Sequence, residues 1–345
     1  MSALKRVRCT SPGIARRRQG RGFSYVHPNG QPVRDEETRE RIRSLAIPPA
    51  WEDVWICPEE RGHLQAVGTD AAGRKQYLYH EAWTTRRGRQ KFDRVVRLAR
   101  RLPAMRRVCD RDIVSRGLTR ERVLAGAVRL LDVGFFRIGS ESYTEENGSY
   151  GLATIRRDHV RVSRGEVRFD FSAKGGQRRI QAIEDPALAR LSGALLRRKG
   201  GGPELLAFRD GTVWRDVRSE DINGYLKELA QEDISAKDFR TWHATVLTAA
   251  LLASQEATEE ERLTSVTSRK RVVSSVVGEV ADALGNTPAV CRASYIDPRV
   301  IDRFLNGETI DMPRGKDLSD DRVRRAVEAS VLDLLEPEHA RRRAA

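Results

Sequence analysis

Four residues of this chain are of types that together can transfer a phosphoryl group. They are Arg137 in Phe-Arg-Ile-Gly, Lys174 in Ala-Lys-Gly-Gly, Arg240 in Lys-Asp-Phe-Arg and Tyr295 in TPAVCRASYIDP. A phenol is a weak nucleophile at neutral pH, since its reference pKa is about 10. A phosphodiester under attack gathers charge on its oxygens, which two fixed guanidiniums can stabilise. The departing alkoxide needs a proton, which a lysine can give. The set therefore suits attack of a tyrosine on a phosphodiester with no metal. Each residue also has a plainer use. A tyrosine near a helix end usually packs, and Arg137 could be a cation facing a helix dipole. Arg240 could pair with a neighbouring acid, and Lys174 could be an exposed hairpin lysine.

Composition argues against the plain use of Lys174. The chain has 54 arginines and only nine lysines. Arginine holds its proton too tightly to be a convenient acid, whereas burial and nearby cations can tune a lysine. Lys174 is therefore the candidate general acid, and its flanking glycines would let the turn carry it to a substrate.

The elements that must position these groups follow from pattern. Residues 1–22 are basic with little apolar content and read as a flexible arm. From residue 22 to about 83, short β-type runs alternate with turn signals at His27-Pro-Asn29-Gly30 and Asp70-Ala-Ala-Gly73. Residues 36–45 interrupt them as a short helix. A small β-rich domain over 22–88 is expected, followed by a larger, mainly helical domain over 89–345. In the second, Thr119 is a candidate N-cap for LTRERVLAGAVRLLDVGFF. Val160, Val162, Val167, Phe169 and Phe171 alternate as in a three-stranded antiparallel meander, with turns at Ser163–Gly165 and Ala173–Gly176. Helices are expected near 187–199, 219–231, 237–254, 260–284, 288–295 and 319–335. The fold class is thus α+β.

Charge names the partner. The chain of 345 residues carries a net +14 and a pI near 10.1, which points to a polyanion, nucleic acid foremost. Residues 1–34 hold eight Lys or Arg and no acid; residues 86–107 hold ten basic residues and one acid, Asp93. Phosphate contact is expected from both runs. The four cysteines are widely spaced with no C-x-x-C, so neither a zinc site nor a disulfide framework is indicated, and a reducing cytoplasm is expected. There is no apolar leader, no membrane-length run and no P-loop motif. No cofactor, metal or ATP is expected.

The segments FFRIGSESY, FDFSAKGG, KDFRTWHATV and GNTPAVCRASYIDP resemble the catalytic segments of type IB DNA topoisomerases, the compact bacterial and poxvirus kind. IPPAWEDVWICPEERGHLQAVGTDAAGRKQYLYH is similar to their N-terminal DNA-contacting domain. The motifs fall in the family order over roughly residues 25 to 310. The resemblance implies a monomer, associated with the nucleoid, that clamps duplex DNA and relaxes its supercoils through a 3′-phosphotyrosyl intermediate on Tyr295. It implies that Arg137 and Arg240 hold the scissile phosphate and that Lys174 is the acid. It makes Arg74, Lys75, Gln76, Tyr77 and Tyr79 a DNA-reading strand, with further contacts from Tyr143 and Lys237. One position departs: nine residues before the tyrosine many relatives carry a histidine, whereas this chain has Asn286. Asparagine can donate a neutral hydrogen bond but cannot take up a proton; Gly285-Asn286 also reads as a helix-ending pair. Two alternatives stay open. A tyrosine recombinase shares the Arg-Lys-Arg-Tyr chemistry, but usually reads H-x-x-R where this chain has Lys237-Asp-Phe-Arg240. A non-catalytic DNA-binding protein could keep the fold without the reaction.

Overall fold

Residues 3–259, 265–312, 318 and 320–336 are described by a computed structural model of the chain. The chain separates into two units, Met1–Lys91 and Phe92–Ala345.

The first unit is an antiparallel sheet with one helix. Its strands are β1 (Ile14–Gln19), β2 (Gly22–Val26), β3 (Glu52–Ile56), β4 (Leu64–Thr69) and β5 (Lys75–Tyr79), in the order β2-β1-β3-β4-β5. Helix α1 (Glu36–Ser44) starts at Asp35, whose carboxylate accepts from the Thr38 N–H at 2.8 Å. Ile42 from this helix packs with Ile14, Val33, Val54, Ile56 and Ala66 to form the core.

The expectation of a flexible arm over residues 1–22 is corrected here. Ile14 is 1% exposed, and β1 pairs with both β2 and β3. Arg16 does not need solvent: its guanidinium donates to the Pro48 and Trp51 carbonyls at 3.1 and 2.6 Å and lies over the Phe23 ring. Composition misleads because one buried isoleucine and a paired backbone hold this strand, and the guanidinium of Arg16 is satisfied by carbonyls. Upstream, the Lys5 N–H donates to the Arg61 carbonyl and the His63 N–H to the Lys5 carbonyl, both at 2.9 Å. The Trp55 indole donates to the Ser11 carbonyl at 2.9 Å. A Cβ on Gly13 would sit 2.0 Å from that indole, so only glycine fits there.

The second unit begins within α2 (Glu81–Ile113), which crosses the boundary, and continues with α3 (Arg120–Gly134) and α4 (Glu141–Asn147). The sheet β6 (Val160–Ser163), β7 (Glu166–Ser172) and β8 (Arg178–Glu184) is the antiparallel meander that the valine and phenylalanine alternation predicts. Then come α5 (Pro186–Arg197), the hairpin β9 (Ala207–Asp210) and β10 (Val213–Asp216), α6 (Ser219–Ala230), α7 (Ala236–Glu259), α8 (Val266–Leu284), α9 (Pro288–Ser294), α10 (Pro298–Leu305) and α11 (Asp321–Leu335). Residues 260–264 and 319 of the expected helices lie outside the described residues. Helix α7 runs through the core, with Phe239 and Trp242 fully buried. Among the described residues no helix is long and apolar enough to cross a membrane.

The basic run on α2 is only partly available to phosphate. Arg94 pairs with Asp238 at 2.9 Å, Arg97 with Glu232 at 3.2 Å, and Arg100 with Glu336. Arg106 is buried between Asp132 and Glu328, donating to all four carboxylate oxygens. These four cations tie α2 to the rest of the unit, and the expectation of phosphate contact is withdrawn for them.

Candidate active site

Tyr295 closes α9. Thr287 caps the start of that helix and Pro288 fills its first position, where no N–H is needed. The Tyr295 N–H donates to the Cys291 carbonyl at 2.9 Å. Its neighbours Cys291 and Ile296 are both 0% exposed, so the half-buried ring hangs between two anchors. From α7, Thr245 accepts the Asp297 N–H at 3.1 Å, fixing the turn just past the tyrosine.

Arg240 lies beside it. Its guanidinium carbon is 5.4 Å from the Tyr295 ring centroid, and the residue is 2% exposed. It donates to the Phe135 carbonyl and, at 2.8 Å, to the Leu284 carbonyl, while its Nε has no partner. Phe135 ends α3 in the left-handed conformation, φ 51°. A bulky residue rarely adopts that geometry, and here it goes with a carbonyl turned toward Arg240. Burial first, and then the Arg137 and Arg179 charges, bring the Arg240 guanidinium down to about 10. Among the described residues no carboxylate lies within ion-pair reach of it. A buried cation without a counter-ion is costly, and an anion bound here would relieve that cost.

Arg137 follows two residues later. Its guanidinium donates to the Gly285 carbonyl at 2.7 Å and to Asn286 Oδ1 at 2.6 Å. Its backbone is held by the Leu152 N–H, at 2.8 Å from the Arg137 carbonyl. Gly139 (φ 76°) and Gly151 cross so closely that a Cβ on either would fall 2.5 to 2.8 Å from the other's backbone. The glycine of Phe-Arg-Ile-Gly is therefore needed to seat the arginine.

The Asn286 side chain is brought to this group, while its backbone helps Gly285 to end α8. Gly285 caps α8 in the left-handed conformation, and the Asn286 backbone N–H donates to the Ala281 carbonyl at 2.9 Å. The Asn286 side chain is left free to receive Arg137, and its Nδ2 is buried with no partner. That unspent donor is what a nonbridging phosphate oxygen could take. Removing one such donor costs roughly 10²–10³ in rate where it serves the transition state. Asn286→Ala is accordingly expected to slow single-turnover cleavage while changing DNA affinity little, and Asn286→His to retain substantial activity. Lower thermal midpoints for both, with normal cleavage by the folded protein, would return the side chain to a purely structural role.

Lys174 is not brought to the other four. It is exposed in the β7–β8 turn, where Gly175 and Gly176 have φ of 80° and 73°. Its Nζ lies 5.8 Å from the ring centroid of Tyr143 on α4. Lys237 is exposed one turn before the buried Arg240 on α7. In the first unit, β5 alternates as expected. Lys75, Tyr77 and Tyr79 are exposed, with the tyrosine rings stacked at 6.3 Å. The proposed readers Arg74 and Gln76 both donate to Asp70, at 2.8 Å from its Oδ2. The Arg74 guanidinium, ahead of the Gln76 amide, holds that carboxyl well below the usual range.

The structure adds one cation that the motifs do not single out. Arg179, on β8, donates to the Gly134 carbonyl at 3.2 Å and to Gln181 Oε1 at 3.1 Å. Burial and the neighbouring Arg137 lower its guanidinium. With Arg137, Gln177, Gln181 and Asp282 it lines a cavity of about 310 Å³. Strand alternation was the available signal: Arg179 shares a face with Gln181 and the buried Ile183.

Among the described residues one cluster has donors that could ligate a metal: Asp132, His243 and Glu328, whose ligand atoms lie within 4.8 Å of one another. They do not suit one, because Arg106 already occupies both carboxylates. Burial keeps His243 below its ordinary value despite Asp132 nearby.

Residues 80–304 match the family described as eukaryotic DNA topoisomerase I, catalytic core, and residues 22–70 match bacterial DNA topoisomerase IB, N-terminal domain. DNA topoisomerase 1B of Acanthamoeba polyphaga mimivirus is 30% identical over 85% of this chain and 88% of its own length. DNA topoisomerase 1 of rabbit fibroma virus is 22% identical, over 81% and 88% respectively. DNA topoisomerase 1B of vaccinia virus is 21% identical, over 81% and 87%. By the match of its residues 80–304 and by its 30% identity to the mimivirus enzyme, the chain belongs to the type IB DNA topoisomerases.

Proposed function

We propose that this enzyme relaxes supercoiled duplex DNA by attack of the Tyr295 hydroxyl on a backbone phosphate. The tyrosine hydroxyl gives its proton to water as its O–P bond forms, and the bond to the 5′-oxygen breaks, leaving a 3′-phosphotyrosyl link and a 5′-hydroxyl. Arg137 and Arg240 hold the nonbridging oxygens, and Asn286 donates a further hydrogen bond. Lys174 protonates the leaving 5′-oxygen once the glycine-flanked turn brings it to the bound DNA. The cut strand swivels about the intact one, and the 5′-hydroxyl then attacks the link and reseals the strand. The link conserves the phosphodiester energy, so no ATP is consumed, and the guanidiniums serve where other enzymes use a metal. The enzyme acts as a monomer in the cytoplasm, on the nucleoid.

The observation that carries this reading is a pair of carbonyl-held guanidiniums, Arg240 beside Tyr295 and Arg137 near Arg240. Arg240 is buried 5.4 Å from the ring with no acid beside it, and Arg137 is turned to the unsatisfied Asn286. In a chain where many arginines pair with carboxylates, these two wait for an anion. The test is relaxation of a supercoiled plasmid in EDTA and without ATP. Topoisomers should appear under those conditions, and should decline at high salt as phosphate contacts weaken. A strict requirement for Mg²⁺ in strand cleavage contradicts the proposal.

A further inference from the structure

The N-terminal segment, residues 3–13, lies ahead of the region matched to the bacterial N-terminal domain. It carries Lys5, Arg6 and Arg8 and no acid. It is nevertheless built onto the first unit. Lys5 makes a parallel bridge with Gly62 and spends its ammonium on Glu59, 3.0 Å away. The Val7 N–H donates to His63 Nδ1 at 3.2 Å. In a neutral imidazole that leaves Nε2 as the protonated nitrogen.

These bonds set Arg6 at the end of a run of aromatic rings. Tyr77 stacks near Tyr79 at 6.3 Å, Tyr79 lies 6.2 Å from His63, and His63 meets Trp83 edge-on at 4.6 Å. The exposed Arg6 and Arg87 each place a guanidinium 5.9 Å from the Trp83 ring. Three separate stretches of chain thus contribute to one run of rings, and a fourth, the N-terminal segment, adds Arg6 at its far end. Among the described residues, no carboxylate lies within ion-pair reach of Arg6. Aromatic faces suit sugars, and guanidiniums suit phosphates.

We propose that residues 3–13 extend the DNA-contact surface of the first unit, with Arg6 donating to a backbone phosphate of the duplex beyond Tyr77 and Tyr79. The proposal rests on the reading of this chain as an enzyme of duplex DNA. Trp83 holds the Arg6 guanidinium in place through its ring face, so little side-chain freedom is lost on binding.

The experiment compares full-length wild type, Arg6→Gln and Arg6→Lys. Each is titrated with a blunt DNA duplex of about one clamp length across a range of KCl concentrations, and its thermal midpoint is measured. Loss of one neutralised phosphate lowers the salt slope by about 0.9. Arg6→Gln is expected to show that reduction with a near-normal midpoint, and Arg6→Lys to keep the wild-type slope. An unchanged slope in Arg6→Gln overturns the proposal, as does a lowered midpoint with no slope change, which would make Arg6 a packing cation on Trp83. The two readings fail separately. A wild type that forms no covalent adduct defeats the proposed reaction, whereas a wild type that cleaves while Arg6→Gln binds with the same slope defeats only this extension.

Discussion

Tyr295→Phe is expected to abolish relaxation and leave non-covalent DNA binding within about tenfold of wild type, a difference of roughly 1.4 kcal/mol. The substitution removes one oxygen and keeps the ring. That ring lies 5.4 Å from the Arg240 guanidinium, a contact that Phe can maintain. The anchors on either side, Cys291 and Ile296, are untouched, so the loop should hold its course. The arginines remain to bind phosphate, and the variant should therefore still shift a duplex in a gel. A covalent adduct formed by the Phe variant would mean that another residue is the nucleophile.

Lys174→Ala is expected to slow cleavage by roughly 10²–10⁴, the usual span for loss of a general acid. The arginines are committed to the nonbridging oxygens and to backbone carbonyls rather than to the leaving oxygen, so neither replaces Lys174. A substrate with sulfur in place of the 5′-bridging oxygen should largely restore the variant, because a thiolate leaves without a proton. The same substrate should leave the defect of Arg240→Ala in place. Full rescue of Arg240→Ala with none of Lys174→Ala would exchange the two roles. The geometry makes this test pointed: Lys174 is exposed beside Tyr143, apart from the other candidates, and its role depends on movement of a turn with two glycines at positive φ.

The sequence carried much of the second unit because its signals are periodic. The Val and Phe alternation of β6 and β7 and the Thr119 cap of α3 are local features, and they appear where expected. Helix α10 escaped because it follows α9 after a three-residue break at Tyr295, and its Pro298 reads as a stop when it is in fact a start. Strand β1 escaped because its three arginines mask a local hairpin with β2, and because its other partners, Ile56, Trp55 and the carbonyls of Pro48 and Trp51, are distant in sequence. The candidate site shows the same divide. Tyr295, Arg137, Arg240 and Asn286 stand in distinctive local motifs. Arg179 has no motif, and its place is set by a strand register and by the end of α3. The acid partners of Arg94, Arg97, Arg100 and Arg106 lie 26 to 236 residues away, so their neutralisation could not be read from a charge run.

The most direct test of the central claim maps the covalent link. Wild-type protein is incubated with a duplex, denatured during turnover, and digested with nuclease and trypsin. The account predicts a nucleotide joined through its 3′-phosphate to the peptide 293–299, which contains Tyr295 and lies between Arg292 and Val300. A 3′-phosphate adduct on any other peptide, or a link through a 5′-phosphate, would contradict it.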